Sequence, residues 1–231
     1  MIRHMMAILW KQLKDTTSNK EILVQFLMFP VMTIVMEKAV KIDGMPAHYF
    51  ANLFGVMYIA MAPITSMASI ISEEKEKNTL RVLLMSNVKP MEYLVGVGVY
   101  IWTICIMGVA VIATATGYEG KDWVKFVAVM AIGELVSIVI GALIGVWCKN
   151  QMAATSITVP VMLVFSFLPM IAAFNDKISA IAKFTYSYQM QMIVNNIADF
   201  KIEMENVVVV GVNMLIAAVL FVVVYRKKKL A

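Results

Sequence analysis

The chain is 231 residues long, 61% hydrophobic and only 15% charged, with a mean hydropathy of +0.80. A soluble domain carries roughly a quarter charged residues, so the composition describes an all-α integral membrane protein with no room for a second soluble domain. The formal charge of +5 gathers at the ends of apolar runs, where it speaks to topology and gives no reason to invoke nucleic acid.

Residues 1–17 place Ile2, Met5, Met6, Leu9, Trp10 and Leu13 on one helical face and Arg3, Lys11, Lys14 and Asp15 on the other. That pattern predicts an amphipathic helix lying flat in the interface, its basic side toward anionic lipid. Lys11 and Lys14 interrupt the apolar core that a cleavable signal needs. Ser18-Asn19-Lys20-Glu21 then has capping-box spacing and restarts the helix.

About 20 apolar residues cross a bilayer. By that measure six transmembrane helices are expected, near 22–40, 49–71, 92–116, 124–147, 153–174 and 206–225. The connections near 41–48 and 117–123 are short. Residues 175–205 mix Phe184, Tyr186, Tyr188, Met190, Met192 and Ile193 with polar residues, and fit an outer segment able to dip back as a re-entrant hairpin. Such backbone is tolerated at depth only where protein or water shields it. Thirteen basic residues fall on one side (Arg3, Lys11, Lys14, Lys20, Lys75, Lys77, Arg81, Lys89, Lys149 and 226–229) and seven on the other. Both termini and residues 72–91 are therefore expected in the cytoplasm. The tail 226–229 reads as a stop-transfer anchor touching anionic lipid.

The stretch from Ser72 to Val97 is the most charged internal segment, and 72–91 of it is expected as a cytoplasmic coupling loop. Within it Thr79 to Ser86 is a short amphipathic piece, with Leu80, Val82, Leu83 and Leu84 broken only by Arg81. Asn78 or Thr79 is expected to cap it by a side-chain oxygen. Pro90 suits the first position of the next helix and Glu92 its acid-favouring first turn. A module this small outside a bilayer reads as something a partner grips.

Inside the spans, Gly133, Ser137, Gly141 and Gly145 recur every four residues, a seam that lets another helix approach closely. Whether it faces the same chain or a second protomer is open at this stage. Glu134 beside it is the only ionisable group deep in a span, and either a pathway role or a structural hydrogen bond fits. Glu37 and Lys38 suit snorkelling at the outer end of the first span. Pro30, Pro63, Pro160 and Pro169 should kink or break their helices. Twenty-one methionines suit flexible packing or a lining for greasy substrates, and Met57 and Met61 are better read that way than as a soft-metal site. Cys105 and Cys148 read as packed thiols.

Several chemistries are missing. The Gly-Lys at Gly120-Lys121 lacks phosphate-loop spacing, there is no HExxH, and Glu73-Glu74 is followed by Asn78 where an EExxxR intramembrane protease needs arginine. The chain is not expected to be an enzyme, nor to bind a metal or nucleotide itself.

The run from Glu74 through Asn78-Thr79-Leu80, Leu83-Leu84, Ser86-Asn87-Val88 to Glu92 and Gly96 resembles the cytoplasmic loop of ABC-2 type transporter permeases, which reads E-x-G-T-L-E-x-L-L-x-S-P-V before an acidic residue and a closing Gly-Lys. Asn78 stands for the glycine, tolerable because Asn also enters a left-handed turn. Asn87 stands for the proline, and Val97 for the closing lysine. The interfacial helix, six spans, proline-bearing fifth span and long outer segment are similar to that family too. The resemblance implies the membrane subunit of a type V ABC exporter in a bacterial cell membrane, paired with an identical or different second protomer. A separate ABC ATP-binding subunit would hold ATP and Mg. Thr79–Ser86 would be the coupling helix docking in that subunit, anchored by Leu80, Leu83 and Leu84, with Glu73, Glu74, Glu76 and Arg81 as polar rim. The implied cargo is hydrophobic or amphipathic: a peptide, drug or lipid-like molecule, with self-protection against an antimicrobial peptide as one setting. The competing reading is an ATP-independent secondary carrier or membrane scaffold with Glu134 as coupling group, which leaves residues 73–92 without a role.

Overall fold

The structure is a computed structural model that describes all residues except 1, 19, 41–43, 45, 87, 201 and 229–231, and no side chain at 2–4, 17, 18 or 20–22. The expected capping box at 18–21, the side chains of Ile2, Arg3 and Lys20, and Lys41, Asn87, Lys201 and Lys229 thus lie outside the described residues. Among those described the chain is all-helical: α1 (Ile2–Ser18), α2 (Lys20–Ala39), α3 (Tyr49–Glu76), α4 (Thr79–Met85), α5 (Pro90–Ala115), α6 (Gly120–Trp147), α7 (Gln151–Ala172), α8 (Asp176–Ala182), α9 (Tyr186–Asn195) and α10 (Met204–Lys228). Five of them, α3, α5, α6, α7 and α10, are long and apolar enough to cross a membrane.

α3 is the buried centre and touches α2, α4, α5, α6, α7 and α9. Lipid tails are as apolar as leucine, so close contact rather than water exclusion must hold such helices together. The glycine seam supplies that contact within the chain. A methyl group built on Gly133 would lie 2.6 Å from Ile59, one on Gly141 2.7 Å from the Ile64 carbonyl oxygen, and one on Gly145 2.8 Å from Ile71. Ser137 completes the row, its hydroxyl 2.6 Å from the Tyr186 hydroxyl of α9. The seam therefore faces α3 and α9 of the same chain.

α3 does not stop at the apolar boundary near residue 71. It continues through Ser72-Glu73-Glu74-Lys75-Glu76, all compatible with a helix and stapled by the i,i+4 pair Glu73–Lys77 at 2.5 Å. The segment expected as a loop from 72 is therefore a rigid extension, followed by a two-residue turn. The prolines break none of the helices; Pro30 lies within α2, Pro63 within α3, and Pro160 and Pro169 within α7. Cys105 and Cys148 are buried free thiols.

α1 lies along α5, but not on its apolar face. Ile8, Gln12 and Thr16 point inward, Ile8 against Gly96 and Thr16 accepting from the Tyr100 hydroxyl at 2.5 Å. Met6, Trp10 and Leu13 are exposed, so the greasy side faces outward, as an interfacial helix requires. Opposite this end, His48 sits with φ +57°, its ring stacked 4.0 Å from Tyr118. The Tyr118 hydroxyl donates to Asn52, which donates to Asn195 at 3.1 Å. His48 and the connections 116–119 and 195–200 thus share one end, while α1, α4 and the α6–α7 turn share the other.

Candidate functional site

The site is the end where α3 emerges and turns into α4. Asn78 makes the turn with φ +57°, the left-handed conformation expected of the residue replacing glycine. Its side chain does not cap α4, nor does that of Thr79, which donates to the Glu74 carbonyl at 3.2 Å. The expected side-chain cap is absent because Asn78 is committed to the turn, while its own carbonyl already takes the Val82 N–H. α5 opens as the sequence predicts, with Pro90 at its first position and Glu92 accepting from the Lys89 N–H at 3.3 Å.

The two faces of α4 differ. Leu80 is 1% exposed, and Leu83 and Leu84 are half-buried against the core. These leucines hold α4 onto its own chain. The outward side carries Arg81, Val82, Met85 and Ser86, with Met85 81% exposed. The apolar pattern of a seven-residue helix with two greasy sides cannot tell which side its own protein covers.

The acidic rim divides as well. Glu74 is buried and accepts from Lys11 Nζ at 2.5 Å and Gln12 Nε2 at 2.7 Å, binding α1 to α3. Burial disfavours the Lys11 ammonium, but its hydrogen bond to Glu74 and the charges of Glu74 and Asp15 outweigh that and raise its pKa. Glu76 accepts from the Gln151 N–H that opens α7, at 2.8 Å. Glu73 pairs with exposed Lys77, whose pKa is raised by that hydrogen bond and charge. Glu74 and Glu76 thus work within the chain. Sequence reasoning passed over Lys11, Gln12 and Lys75 as bracing residues; their partners lie 62 to 73 positions away, and no local signal marks them.

Glu134 is fully buried and neither carboxyl oxygen has a hydrogen-bond partner among the described residues. Tyr58 of α3 and Cys105 of α5 lie nearby. It faces protein interior. Among the described residues no cluster of three His, Cys, Asp or Glu side chains could hold a metal ion.

This is a multi-pass helical membrane protein that presents one short, internally braced helix beyond its spans. The chain belongs to the ABC-2 family: the family model described as ABC-2 family transporter protein matches residues 4–226. It is thus an ABC-2 type permease, a membrane transport component. No curated protein matches it.

Proposed function

We propose that this permease is the membrane-spanning subunit of an ATP-driven exporter that moves a hydrophobic or amphipathic molecule, with the energy supplied by a separate ATP-binding subunit holding ATP and Mg. In this reading α4 is the coupling helix, and Arg81, Val82, Met85 and Ser86 enter a groove of the partner, an amphipathic helix whose charges set register. The observation that carries the proposal is the division of α4 itself: Leu80 locks one side to the permease while Met85 stands clear on the other. Such a helix transmits force, because a push on its free face is delivered to α3 through its fixed one.

The same reading makes α2 the sixth span, since 20 residues rise about 30 Å. It makes α8–α9 a re-entrant outer hairpin, with Tyr186 reaching Ser137 half-way along α6. Both termini lie in the cytoplasm of a bacterial cell, and a second protomer completes the pathway. The test is co-purification with the ATP-binding protein encoded beside this chain. Hydrolysis should depend on the permease and fall about tenfold or more when Val82 and Met85 are both changed to Asp. Unchanged hydrolysis with both aspartates present refutes coupling through α4. An ATP-independent carrier working through Glu134, which has no hydrogen-bond partner among the described residues, is the second reading; it predicts transport by the purified chain alone, abolished by Glu134→Gln.

A further inference from the structure

Lys75 and Glu76 are consecutive residues at the end of α3, yet they hold the two sides of one turn between other helices. Lys75 Nζ donates to the carbonyl oxygens of Gly145 at 3.3 Å, Val146 at 2.8 Å and Cys148, carbonyls that the end of α6 leaves without helical partners. Glu76 Oε2 accepts the first N–H of α7 from Gln151, a donor that the start of a helix leaves free for the same reason. The signs are right for both ends, a cation on helix carbonyls and a carboxylate on helix N–H groups. Gln151 adds a third tie, donating from Nε2 to the Ser69 hydroxyl at 3.1 Å.

We propose that Lys75 and Glu76 are positioning residues that carry movement of α4 into α7 by gripping the α6–α7 turn. They lie immediately before the Lys77–Asn78 turn that leads into α4, so displacement of α4 reaches them first. α7 is suited to receive it. Though it packs along α3, few of its residues are fully buried (Ala154, Thr158, Ser166, Pro169 and Ala172), and Pro160 and Pro169 each remove a backbone donor that would stiffen it. The inference rests on the ATP-coupled reading above, and its first test does not use an ATPase.

Spin labels on Lys77→Cys and Met152→Cys, both exposed sites, report the distance from the end of α3 to the start of α7 in the full chain in lipid; Cys105 and Cys148 are buried. One narrow distance is expected, broadened by Lys75→Met with Glu76→Gln and restored to narrow by Lys75→Arg with Glu76 intact. Labels on Val111→Cys and Phe174→Cys then follow α7 against α5 once the adjacent ATP-binding protein and a non-hydrolysable ATP analogue are added. The unaltered pair should shift; the Lys75→Met, Glu76→Gln chain should lose the shift while binding the analogue within about twofold. Should the double variant fail to fold, Glu76→Gln alone, which keeps an acceptor oxygen, is read in its place. An unbroadened first distance overturns the grip, and a retained second shift overturns the transmission. If no ATP-binding protein engages the chain, the proposed function and the transmission both fall, and the first distance alone then reports a static clamp.

Discussion

At the scale of single residues, the charged run Glu73-Glu74-Lys75-Glu76-Lys77 shows how little a side chain's type says about its job. Five charges in a row read as a solvated face, but one carboxylate is buried against α1 and one ammonium rests on the end of α6. The Lys11–Glu74 contact has a definite pH signature. Because the folded protein holds Lys11 protonated above its usual 10.5, the contact stabilises fully below that pH and fades as pH rises through the folded value. Lys11 is a third exposed, which keeps the effect below about 1 kcal/mol. Thermal unfolding in detergent should therefore separate the natural chain from Lys11→Met at pH 8, and the two should converge as the pH rises through the raised Lys11 value. Leu80 gives a larger contrast. Leu80→Ala removes a fully buried side chain and should cost about 2–4 kcal/mol, whereas Met85→Ala should change stability by less than about 0.5 kcal/mol. Equal costs in a denaturation series would contradict the assignment of the two faces of α4.

At the scale of elements, spacing was readable and partners were not. The four-residue period of Gly133, Ser137, Gly141 and Gly145 announces a close helix contact on local grounds alone, because only small residues admit one. Which helix fills it depends on how distant segments assemble, and α3 and α9 do so here. α1 shows the opposite failure: its apolar stripe was legible, yet the packing face is Ile8, Gln12 and Thr16, two of them polar and invisible to hydrophobic periodicity. α4 and the Pro90 start were legible from turn chemistry. The length of α3 was not, since apolar content marks where lipid ends and says nothing of where a helix ends. The seam carries its own prediction. A methyl at Gly141 meets backbone, the Ile64 carbonyl, which cannot swing aside. Gly141→Ala should thus cost about 1–3 kcal/mol in detergent melts. Gly211→Ala on α10, with nothing within 4 Å, should be neutral or slightly stabilising, since Ala favours a helix. A neutral Gly141→Ala would mean that α3 and α6 stand further apart.

At the scale of the whole molecule, the account depends on which end meets the cytoplasm. The contacts put α1, α4 and the α6–α7 turn at one end and the His48, Tyr118 and Asn195 group at the other. The excess of Lys and Arg belongs to the first end, and basic segments are retained inside. Cysteine scanning decides the matter. Met85 and Met152 are each 81% exposed at the basic end, and Phe174 and Phe184 are 79% and 65% exposed at the other. A membrane-impermeant maleimide applied to intact cells should label cysteines at 174 and 184, and should reach 85 and 152 only after the membrane is opened. The native thiols at 105 and 148 are buried, so background stays low. The reverse pattern would place the free face of α4 outside the cell, where there is no ATP-driven motor to push on it. The bracing of α4 by Leu80 and the Lys75–Glu76 grip would then be purely structural features.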